Sequence, residues 1–245
     1  MPRLEIDVQF LADDAMAIFH DAAFVSPDGP VKLANLTKTE LGAFVHAGGE
    51  PFAFLDEVVA ALENTETILQ VDLKLARPIS PRRVQSLEEA LSPLEGRLVV
   101  GSQAHWNLRK LSRLQVALDP TLHWVAADRA PGVPRSRGVH GLWDDSPIAG
   151  NARFTPLEYV QSRIGDLIAL LPTATEWMVD ITTIFKLEEL GVPLGHALRE
   201  RGIALAAWTL RANATAPRVT LARLFDLGVE TVITDVPEAA AAAVL

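Results

Sequence analysis

Leu4-Glu5-Ile6-Asp7-Val8-Gln9 alternates polar and apolar side chains. On a β-strand that alternation sends Glu5 and Asp7 to one face and Ile6 and Val8 to the other. Two adjacent carboxylates repel unless a cation or a shared proton lies between them. A hard divalent cation suits such a pair, and His20, followed by Asp21, is close enough in sequence to serve as acid or base. The competing reading is an edge strand whose carboxylates are merely solvated. The apolar alternation favours an inner face.

Outward from this run, short β-branched stretches alternate with amphipathic stretches of helical length. Strands are expected at Leu4–Gln9, Ile68–Leu73, Leu98–Ser102, His123–Ala127, Trp177–Ile181, Ala204–Thr209 and Thr231–Thr234. Helices are expected at Pro51–Leu62, Pro81–Leu91, Trp106–Leu118, Pro156–Leu171, Phe185–Leu190, Leu194–Arg201 and Pro217–Leu227. Several begin at or near proline, as helix starts prefer. Strands alternating with helices imply parallel βαβ units. Two segments break the pattern. Phe10–Asp14 turns into Ala17–Phe19 through Asp13-Asp14, within an inserted hairpin and loop region at about residues 10–50. Asp128–Thr155, rich in Pro, Gly and Arg, reads as a long loop containing a weak strand at Val139–Trp143.

At 245 residues the chain suits a single TIM-like (β/α) barrel domain. An open Rossmann-type sheet is the alternative, but no Gly-X-Gly-X-X-Gly turn follows a strand. Hydrophobic residues form 49% of the chain, enough for a large core. A net charge of −9 argues against a nucleic-acid partner. The absence of cysteine excludes disulfides and thiolate metal sites, and fits a cytoplasmic location. No apolar run approaches the roughly 18 residues of a membrane helix.

The stretch from Glu5 to His20-Asp21 resembles the glycerophosphodiester phosphodiesterase family. That family has a Glu-X-Asp-Val strand, a Thr-X-Asp-Gly-like turn and an apolar run ending in His-Asp. Leu11 replaces the usual Thr, and Asp14 stands where Gly is usual; Asp tolerates positive φ better than most residues. Further matches follow in the family's order. They are Pro51 to Glu57, Val71-Asp72-Leu73-Lys74, Val99 to Ser102, Ala207-Trp208-Thr209-Leu210 and Gly228 to Pro237.

The resemblance implies a barrel that hydrolyses glycerophosphodiesters to an alcohol and glycerol 3-phosphate with Ca²⁺ or Mg²⁺. It implies Glu5, Asp7 and Asp72 as metal ligands, the last where the family usually has Glu. Lys74 would lie near the phosphate, Trp208 would line the substrate pocket, and His20 would be one of two acid–base histidines. Asp72 with Lys74 reads equally as an internal ion pair, and Trp208 equally as barrel packing. His46, His105, His123, His140 and His196 have no motif context and are expected to be structural or on the surface. The family's opening His-Arg-Gly strand and its helix do not precede Leu4: either the true start lies upstream of Met1, or the barrel lacks the first βα unit. Its open edges would offer a route to a homo-oligomer. A non-catalytic phosphate- or metal-binding relative and another sugar-phosphate barrel enzyme are the rival readings. The loops Phe24–Asn35 and Asp128–Thr155 carry no motif that selects the leaving alcohol.

Overall fold

The computed structural model describes residues 3–45, 49–124, 136–212 and 216–244. The chain divides into two compact units, Met1–Val116 and Ala117–Leu245.

In the first unit, β1 (Arg3–Phe10), β6 (Ile68–Leu73) and β7 (Leu98–Ser102) run parallel side by side, with β1 against β6 and β6 against β7. Leu69, Val71, Leu73 and Val100 are fully or nearly fully buried, the pattern of strands covered on both faces. On its other side β1 pairs antiparallel with β2 (Met16–Ile18), which pairs with β5 (Ala53–Phe54). The hairpin β3 (Ala23–Ser26) and β4 (Gly29–Lys32) follows β2, and the short helix α1 (Lys38–Leu41) follows the hairpin. The segment from Leu11 to Phe54 has its own apolar core: Leu11, Ala17, Phe24, Leu33, Leu41, Phe52 and Phe54. Within it the Phe24 and Phe52 rings meet at 4.8 Å between centroids.

Helix α2 (Leu55–Leu62) starts four residues later than the pattern suggested, because Ala53 and Phe54 are spent on pairing with β2. Glu57 then accepts the Phe54 amide at 2.9 Å. Helix α3 (Pro81–Leu91) has Pro in its first turn and is capped by Ser80, whose hydroxyl accepts from Arg83 N. The expected helix Trp106–Leu118 does not form. Helix α4 (His105–Leu108) ends within one turn, and β8 (Val116–Leu118) passes from the first unit to the second. A run of three apolar residues does not reveal by period whether it is strand or helix.

In the second unit, β11 (Ala174–Asp180), β12 (Ala204–Leu210) and β13 (Thr231–Thr234) are parallel neighbours. Helix α6 (Ile181–Glu189) begins directly after β11: Asp180 ends the strand and caps the helix through Thr183 N at 2.9 Å. Helix α7 (Leu194–Arg199) precedes β12, and α8 (Pro217–Asp226) and α9 (Pro237–Val244) flank β13. The strand expected at Val139–Trp143 is instead β10 (Trp143–Asp144), paired with β9 (Ser136–Arg137). At His123–Ala127 there is a single bridge, His123 to Trp143, and residues 125–127 lie outside the described residues. Helix α5 (Pro156–Leu170) opens with a capping box between Thr155 and Glu158.

Candidate active site

Register brings the carboxylates together. In the parallel pairing of β1 with β6, Asp7 stands opposite Asp72, and Glu5 lies two residues back on the face that Asp7 shares. One oxygen from each of Glu5, Asp7 and Asp72 lies within 4.8 Å of the other two. All three are half-buried. Burial, reinforced by the Asp7 and Asp72 charges, pushes Glu5 up to about 7. Burial also raises Asp72, against the pull of Lys74.

Lys74 is the cation inside this cluster. Its Nζ is 2.6 Å from Asp72 Oδ2 and 3.0 Å from Asp7 Oδ1. Burial would lower its affinity for a proton, but the two carboxylates outweigh burial and hold it above its ordinary value.

His20 follows β2 and is exposed, its Nδ1 2.8 Å from Asp21 Oδ1. It lies near enough to act electrostatically on Glu5 and Asp72. Two hydrogen bonds tie its backbone to β1. Phe19 N donates to Asp7 O at 3.0 Å, and Gln9 Nε2 donates to His20 O at 3.1 Å. Gln9 is a functional candidate that the motif did not single out, although its place beside Glu5 and Asp7 in the alternation was a signal.

Asp14 sits at the hairpin turn with φ 66, the left-handed region that favours Gly. Its carboxylate adds what Gly has not: Arg83 Nε at 2.6 Å and Arg82 Nε at 3.0 Å. Arg83 also donates to Leu11 O at 2.9 Å, so α3 grips the turn that precedes His20.

Trp208 lies on β12 in the second unit, its ring 6.0 Å from that of His123. His123 is buried, with Nδ1 3.3 Å from Asp180 Oδ2. Thr183 Oγ1 donates to Asp180 and accepts from Trp124 N at 2.7 Å. No sequence signal linked His123 with Asp180, because 57 residues separate them. Of the remaining histidines, His105 and His196 fall on α4 and α7, His140 lies 5.3 Å from the Tyr159 ring, and His46 lies outside the described residues.

Compared as a sequence, the chain matches no family profile and no curated protein. Compared as a structure, it is similar to solved glycerophosphodiester phosphodiesterases. With the enzyme from Thermotoga maritima the TM-score is 0.59 at 17% identity, covering 94% of this chain and 80% of the other. With that from Agrobacterium tumefaciens it is 0.60 at 12% identity, covering 98% and 86%. The Parabacteroides distasonis structure gives 0.56 at 15% identity, covering 100% and 76%. Parallel strands alternating with helices therefore belong to a TIM-like (β/α) barrel fold, the fold of these phosphodiesterases. Among the described residues no helix is long and apolar enough to cross a membrane.

Proposed function

We propose that the chain is a metal-dependent glycerophosphodiester phosphodiesterase, releasing an alcohol and glycerol 3-phosphate with Ca²⁺ or Mg²⁺. The observation that carries this reading is the meeting of Glu5, Asp7 and Asp72 within 4.8 Å. It occurs on a fold similar to that of solved phosphodiesterases. The donor set fits a divalent ion. Three carboxylates offer hard oxygen ligands, and burial, with the Asp7 and Asp72 charges beside it, raises Glu5 to about 7. Glu5, Asp7 and Asp72 would hold the ion. When bound, such an ion supplies charge stabilisation at a phosphoryl oxygen.

His20 is the acid–base group of this proposal. Donation of its Nδ1 proton to Asp21 leaves Nε2 to take or give a proton, and the carboxylate orients the ring. The hydrogen bonds from Phe19 and Gln9 hold the His20 backbone against β1. Lys74 and Trp208 are proposed to bind substrate on the strength of the resemblance, with Lys74 beside the phosphate and Trp208 along the pocket. A single domain over residues 1–245, with the 10–50 region inserted, is part of the same reading.

The test is release of glycerol 3-phosphate from glycerophosphocholine, with and without Ca²⁺ or Mg²⁺. Turnover should vanish with a chelator and return with the ion. His20→Ala should lower kcat by about 10²–10⁴-fold. Binding of glycerol phosphate with no turnover under any ion would refute the catalytic reading.

A further inference from the structure

The resemblance sends the Lys74 ammonium to a phosphate, whereas the geometry gives it to Asp72 at 2.6 Å and to Asp7 at 3.0 Å. Both are members of the carboxylate trio. Three carboxylates and one ammonium, all ionised, leave a formal local charge of −2. The ammonium takes up one oxygen of Asp72 and one of Asp7, and a divalent ion drawing on the same two carboxylates would be repelled by its charge.

Lys74 is also held where it is. Its backbone N donates to Val8 O at 3.0 Å, which continues the β1–β6 pairing. The chain just beyond it is gripped by the fully buried Asn107. The Asn107 amide donates to Leu75 O at 2.7 Å and Arg77 O at 2.9 Å, and its oxygen accepts Ile79 N at 2.8 Å. Lys110 Nζ adds a bond to Ile79 O at 2.8 Å. With the backbone fixed on both sides, the ammonium can leave the carboxylates only by rotation of its own side chain. That side chain is 27% exposed.

We infer that Lys74 is an internal cation that sets the divalent affinity of the Glu5–Asp7–Asp72 cluster. It competes with the ion for Asp7 and Asp72 while keeping the two carboxylates facing one another. The inference rests on the reading of that cluster as a metal site.

Calorimetric titration of the full chain with Ca²⁺ and with Mg²⁺ tests it, comparing wild type with Lys74→Met, Lys74→Gln and Lys74→Arg. Circular dichroism and melting identify which variants are folded, and Lys74→Gln keeps a polar, uncharged side chain if Lys74→Met does not fold. The neutral variants should bind the ion at least about tenfold more tightly, because a nearby like charge is gone. Lys74→Arg should stay within about threefold of wild type, since the charge is kept. If wild type binds and the neutral variants bind equally or more weakly, competition by Lys74 is overturned while the metal site stands. If none of the proteins binds either ion at millimolar concentration, both the inference and the metal reading fall.

Discussion

Gln9 occupies the third polar place on the Glu5–Asp7 face, and its side-chain amide reaches the carbonyl of the proposed acid–base histidine at 3.1 Å. The bond spans eleven positions of sequence and closes the loop that β2 opens. If it positions His20, its loss acts on the chemical step more than on substrate binding. Gln9→Leu, which keeps bulk and removes the donor, should lower kcat about tenfold to a hundredfold with KM within about twofold. Steady-state kinetics on glycerophosphocholine would show this, and a rise in KM with kcat unchanged would contradict it. Asp14 shows a different logic. Its positive φ is one that Asp tolerates better than most residues, and the Arg82 and Arg83 contacts hold its carboxylate in place.

At the scale of the element, helix termini and buried ion pairs carry testable energetics. Glu158 accepts the Thr155 amide and hydroxyl at 2.8 Å each, and these bonds hold its carboxyl below the ordinary 4.5. A depressed carboxyl stabilises the fold above its unfolded pKa, and that contribution disappears as pH falls through the folded value. Glu158→Gln, which retains the acceptor but not the charge, should therefore lose less melting temperature than wild type between pH 7 and about pH 3. Equal losses in the two proteins would argue against the cap. In the second unit, Arg163 on α5 is buried, with Nε 2.9 Å from both Asp144 oxygens and Nη2 2.6 Å from Asp145. Tyr159 donates to Asp144 as well, and burial raises the Asp144 carboxyl despite these partners. Removing one partner of such a pair strands the other, so Arg163→Leu should cost about 3–5 kcal/mol by denaturant unfolding.

At the scale of the whole molecule, an ion bound by the folded carboxylate cluster and not by the unfolded chain must stabilise the fold. Binding at 100 times Kd contributes about 2.7 kcal/mol. Millimolar Ca²⁺ or Mg²⁺ should therefore raise Tm by several degrees. Asp7→Asn should abolish the rise, because Asp7 belongs to the cluster and contacts Lys74. A thermal-shift series with the two ions measures it directly. A rise of equal size in Asp7→Asn would place the ion elsewhere.

The sequence alone determined the alternation of strands and helices and the shared face of Glu5 and Asp7, since side-chain periodicity is a local property of the backbone. The order of motifs pointed to Asp72 and His20. Strands Ile68–Leu73, Leu98–Ser102 and Thr231–Thr234 were readable to the residue, being β-branched runs bounded by turns. Val116–Leu118 was not, because three apolar residues fit either period. What only the tertiary structure decided is pairing across long separations. Examples are Asp7 opposite Asp72, the Asn107 grip on residues 75–79, Arg83 on Asp14, and His123 beside Asp180. Such contacts depend on register and packing between elements, and no local pattern encodes which distant residue will stand opposite. That is why the carboxylates, and the pairing of Lys74 with Asp72 as one of two alternatives, could be read from the sequence, whereas the reach of Lys74 across to Asp7 was decided only by the fold.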